Sequence, residues 1–91
     1  GISRLIAELR ERHRELISEH STRAGLALLD QLYSHPVVSV NAIVERLDMP
    51  YSTANSLVSR FEELGILNEI SGRQRNRLFR YDAYVDLFRS D

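Results

Sequence analysis

Two groups of side chains have types and spacings suited to chemistry. Ser52, Thr53, Asn55, Ser56, Ser59 and Arg60 concentrate hydroxyl, amide and guanidinium groups in one short stretch. On a helix they would share a polar side, opposite an apolar stripe of Ala54, Leu57, Val58, Phe61 and Leu64. Short polar groups near a helix N-terminus suit both base edges and phosphates, and the helix dipole favours negative charge there. The second group is Arg73, Arg75, Arg77 and Arg80, in a stretch with no acidic residue between them. Guanidinium forks bind phosphate oxygens well.

Each group also has a plainer reading. Charge runs are usually solvated faces. Arg77 alternates with Phe79 and Tyr81, which gives it a partly structural place, so Arg73 and Arg75 are the better phosphate candidates. Asn76 suits a turn. Tyr51, Phe61, Phe79 and Tyr81 fit core or rim positions rather than a stacking platform.

Catalytic chemistry finds no such support. His13 and His20 fall on the apolar side of a helical pattern, with no carboxylates arranged as a ligand set. His35 stands alone before Pro36. There is no glycine-rich phosphate loop, no metal-ligand spacing and no nucleophile beside a plausible base. No catalytic residue, metal or cofactor is expected.

Composition sets the frame. The 91 residues, 43% hydrophobic and 27% charged, suit one folded domain. The 12 basic residues are all arginine, yet the net charge is −1, which opposes strong indiscriminate binding to nucleic acid. The absence of cysteine fits a reducing cytoplasm, and no apolar run approaches the ~18 residues of a membrane span. The chain opens on Gly1 without methionine and enters a helical pattern at once, so a piece of a longer protein is expected.

Elements must now position these groups. Ile2, Leu5, Ile6, Leu9, His13, Leu16, Ile17 and His20 recur at helical steps, predicting an amphipathic helix over 2–20. A second helix over 22–34, capped by Ser21, buries Leu26, Leu29, Leu32 and Tyr33. His35-Pro36 ends it, and Val37 to Ser39 forms a short extended piece. A third helix covers 40–47. The segment Asp48 to Tyr51 turns, with Asp48 where glycine is usual, and Ser52 caps a fourth helix that runs to Leu64. Gly65 stops it. The period then drops towards two, predicting strands over 66–70 and 77–81 joined by a basic tip. Asp82 caps a last helix bearing Tyr84, Val85, Leu87 and Phe88.

The order is helix, strand, helix, turn, helix, hairpin. It predicts an α+β, mostly α, winged helix-turn-helix: a three-helix core with a small β-hairpin wing. To this it adds an N-terminal linker or docking helix (1–20) ahead of the main domain (21–91), and a short C-terminal helix. Ser52, Thr53, Asn55, Ser56, Ser59 and Arg60 become recognition-helix candidates, and Arg73, Arg75 and Arg77 wing candidates.

A resemblance adds a further expectation. Gly65, Ile66, Leu67, Glu69, Gly72, Arg73, Arg75, Asn76, Arg77, Tyr81, Asp82 and Tyr84 stand in a pattern that resembles the C-terminal winged helix domain of Fic (filamentation induced by cAMP) family proteins. The resemblance covers roughly residues 21 to 88, with Phe79 in place of the more usual tyrosine. It implies a parent that transfers AMP from ATP to target proteins, with the Fic catalytic core as this chain's partner. The HPFxDGNGR catalytic loop is absent, because His35-Pro36 is followed by valines. The leading expectation is a DNA-binding, regulatory, cytoplasmic module without enzyme activity. The alternative is a protein-interaction, homodimerisation or target-recruitment module.

Overall fold

The computed structural model describes residues 1–18, 23–72 and 76–89. Its elements are α1 (Ile2–Ser18), α2 (Arg23–Leu32), β1 (Val37–Ser39), α3 (Val40–Leu47) and α4 (Tyr51–Glu63), then β2 (Asn68–Glu69), β3 (Leu78–Arg80) and α5 (Asp82–Asp86). The architecture is α+β and mostly helical, as a winged helix-turn-helix requires. Ser21 as a cap and His20 as part of the first helix's stripe lie outside the described residues.

Local chemistry sets the helix ends. The Ser39 hydroxyl accepts from the Ala42 backbone N–H at 3.1 Å and caps α3. Asp48 closes α3 in the left-handed region, at φ 51 and ψ 56, as expected of the residue in the glycine position. The cap of α4 differs from expectation. It is Pro50, with φ −61, not Ser52, which sits inside the first turn. Proline's fixed φ starts the turn without a side-chain bond, and the Pro50 carbonyl accepts from the Ala54 N–H at 3.0 Å. Ser52 is thereby left exposed. Gly65, at φ 77, ends α4 in a Schellman arrangement: Ile66 N–H donates to Phe61 O at 2.9 Å and Gly65 N–H to Glu62 O at 3.0 Å.

The sheet is antiparallel in the order β1-β3-β2, with Val38 opposite Phe79 and Glu69 also opposite Phe79. The strands are shorter than the alternation predicted, because Ile66 and Leu67 turn fully into the core instead of pairing. Ile70 N–H still donates to Leu78 O at 2.8 Å, one bond beyond β2.

The core draws on every layer: Leu28, Leu29 and Leu32 from α2, Ile43 from α3, Ala54, Val58 and Phe61 from α4, and Phe79 and Tyr81 from the wing side. Each buried large side chain contributes about 1.5–3 kcal/mol. Ala54 is fully buried between helices, so a larger residue there would push α4 away from α3. The helix α1 lies on α2 and α5 and buries Leu9, His13 and Ile17. The other end of its stripe stays open, with Ile2 at 39% and Leu5 at 48% exposure. Asp82 proves to be the first residue of α5 and not its cap, which is Tyr81. Its carboxylate is engaged instead by Asn68 Nδ2 at 3.0 Å and by Arg80 Nε.

Candidate nucleic-acid interface

The turn through Asp48 and Met49 presents α4 with one face in the core and one in solvent. Ala54, Val58 and Phe61 are buried, whereas Ser52, Thr53, Asn55, Ser56, Ser59 and Arg60 are all exposed. Thus all six recognition-helix candidates lie on the open side of one helix.

Sequence reasoning missed two neighbours. Tyr51, read as core or rim, is 57% exposed at the start of α4, and Asn41 is exposed in the first turn of α3. Both line a cleft of about 390 Å³ between the two helix starts and the wing, together with Ser39, Asn55, Arg77 and Phe79. The signal for Tyr51 was its place directly after Pro50, where the first helical turn points to solvent. Asn41 had no comparable signal.

Two of the four arginines of the wing stretch have acidic neighbours in space. Arg73 and Arg75 lie outside the described residues. Arg77 Nη2 donates to Glu69 Oε1 at 2.7 Å, and Glu62 Oε2 of α4 lies 3.7 Å away. The Arg77 guanidinium also stands 5.0 Å from the centre of the Phe79 ring. Arg80 pairs with Asp82. Arg77 and Arg80, from the acid-free arginine stretch, therefore meet acids brought in by β2, α4 and α5. The hydrogen bond from Arg77 holds the Glu69 carboxyl below its ordinary range against the opposing effect of desolvation, with a further bond from Ser71.

Away from this face, the His13 imidazole is bonded to Tyr81, and burial followed by the nearby Arg12 charge lowers its pKa. Among the described residues no group of three or more His, Asp or Glu side chains is placed to hold a metal ion. No described helix is long and apolar enough to cross a membrane.

Among protein-family models, residues 21–70 match the IclR helix-turn-helix domain. The chain belongs to that family. It is a DNA-binding helix-turn-helix module of the kind found in IclR-type regulators. No curated protein matches the sequence.

This assignment overturns the resemblance to Fic proteins, and with it the Fic parent and the Fic core as partner. The residues behind that resemblance answer to the needs of a wing. Gly65 and Gly72 have φ 77 and 65, Asn76 has φ 52, and Ile66, Leu67 and Tyr81 fill the core. Turn and core positions of this kind are demanded by a hairpin on any helix-turn-helix domain, so they do not mark a catalytic parent.

Proposed function

We propose that this IclR-type domain reads DNA sequence for a transcription regulator. The helix α4 enters the major groove and brings Ser52, Thr53, Asn55, Ser56, Ser59 and Arg60 to base edges and flanking phosphates. Arg73, Arg75 and Arg77 hold phosphates from the wing. Residues 21–91 are the reading unit, and the helix over 1–20 is an appendage to it. The one-sided burial of α4 supports this reading best: six hydrogen-bonding side chains, five of them uncharged, stand together on its exposed face.

With a net charge of −1, affinity must come from a few local contacts and not from a general basic field. Three wing arginines imply a slope of log affinity against log salt of about −2 to −3. Fluorescence anisotropy with a short labelled duplex at two salt concentrations measures it. Absence of salt-dependent binding near physiological ionic strength would reject the DNA reading.

A second reading rests on α1. Ile2 and Leu5 are exposed on a stripe that buries Leu9, His13 and Ile17 further along α1. We infer that two copies cover this stripe by self-association, as apolar helix faces commonly do.

A further inference from the structure

Exposed ion pairs usually hold two mobile side chains loosely and contribute little. The Glu69–Arg77 pair is tied down more firmly than that. Glu69 stands opposite Phe79 in the β2–β3 register, so it shares a sheet face with Phe79 and Arg77. Its carboxylate takes side-chain bonds from two partners, beside a backbone bond from Gly72. Oε2 accepts from the Ser71 hydroxyl at 3.1 Å, and Oε1 accepts from Arg77 Nη2 at 2.7 Å. The Ser71 oxygen is itself fixed by the Leu78 backbone N–H at 3.1 Å. The Arg77 guanidinium is also set over the Phe79 ring, and Phe79 is buried. A chain of bonds from the β3 backbone thus ends on a guanidinium at 41% exposure, which lines the cleft beside Tyr51 and Asn55 of α4.

We propose that Glu69 is a positioning residue for DNA binding: it holds the Arg77 guanidinium at the cleft between α4 and the wing, preset to meet a backbone phosphate. This rests on the DNA reading above and adds the identity of the group that aims the contact. A guanidinium fork gains most from a phosphate when its orientation is fixed beforehand, since ordering a long side chain on binding costs affinity. The cleft surrounds that fork with neutral polar groups of Ser39, Asn41, Tyr51 and Asn55, which can donate to the remaining phosphate oxygens.

The sign of one mutation separates this from simple electrostatics. Removing a carboxylate from a DNA-facing surface should raise affinity if charge alone matters. Positioning predicts the reverse. Glu69→Ala should weaken binding to a short random-sequence duplex by about two- to tenfold. Glu69→Gln, which keeps an acceptor for Arg77, should stay near wild type. In an Arg77→Ala background, Glu69→Ala should cause no further loss. Thermal melts of each variant report whether the wing still folds. Tighter binding by Glu69→Ala would show a competitor for Arg77 and overturn the proposal. An equal loss with and without Arg77 would assign Glu69 to wing structure and overturn it too. Absence of binding by the wild-type chain would remove the DNA reading itself, an outcome distinct from either.

Discussion

His13 Nδ1 and the Tyr81 hydroxyl lie 2.6 Å apart although 68 positions separate them in the chain. The same hydroxyl meets Tyr33 Oη at 3.1 Å, so one buried group ties α1, the residue that follows α2 and the start of α5 together. Tyr81 also stacks on Tyr84, with ring centres 5.8 Å apart. Burial and the bond to Tyr33 raise the Tyr81 pKa well above its usual value, and it stays a neutral phenol at any ordinary pH. His13 is the imidazole of this junction, and its burial opposes protonation.

Its titration predicts how stability depends on pH. Desolvation first and Arg12 second lower the folded pKa of His13 below 6.5. The unfolded chain therefore binds the proton more readily than the folded one. The contribution is fully present above the unfolded value of 6.5, and it is lost as pH falls through that value towards the lower folded pKa. Urea melts between about pH 7 and about pH 5 should show falling stability. His13→Gln should flatten that fall, and an unchanged slope in the variant would assign the effect to carboxylates elsewhere.

Gly65 offers a test of backbone conformation alone. A methyl group added there would meet nothing within 4 Å, yet φ is +77. Gly65→Ala should thus cost about 1–2 kcal/mol through the left-handed conformation itself. Denaturant titration should show a lower midpoint with an unchanged slope. No loss would mean that the chain relaxes out of this conformation.

These residues also show what sequence can convey. Gly65 and Asp48 were legible because a left-handed position restricts residue type locally, and the α3 bounds follow from Ser39 and Asp48 at its ends. The exposed face of α4 was legible from period alone. Three features were not. Pro50 took the cap from Ser52 because both residue types start helices, and only the backbone decides between them. The partners of Arg77 come from β2 and α4, so the stretch looked acid-free in one dimension. The His13–Tyr81 bond depends on how α1 docks, which periodicity does not specify. The Fic resemblance fails for a related reason, since residues that make a wing do not identify a parent protein.

The exposed end of α1 makes a prediction about assembly. If two copies cover Ile2 and Leu5, sedimentation at concentrations on the order of tens of micromolar should give a mass between one and two chains. Leu5→Glu should return the chain to a monomer and leave its melting temperature unchanged at concentrations too dilute for association, because Leu5 lies outside the buried set of α1. A wild-type chain that sediments as a strict monomer at every concentration would end the self-association reading.

The recognition face and the wing should fail in different ways. Asn55 is exposed in the second turn of α4 and borders the cleft, where its amide can donate and accept together. A bidentate contact to adenine from that group discriminates by about 1–3 kcal/mol against a wrong base. Asn55→Ala should therefore relax preference at one base position and leave the salt slope nearly unchanged. Arg73 and Arg75 stand in the basic run between the two strands, where phosphate contacts carry no sequence information. Replacing either by alanine should weaken all sequences about equally and reduce the magnitude of the salt slope by ~1. Selection from a random-duplex pool gives the preference, and anisotropy at several salt concentrations gives the slope. A merely solvated charged surface would give the same small, sequence-blind change for Asn55→Ala and for the arginine variants. That outcome would remove both Asn55 and the wing arginines from direct contact with DNA.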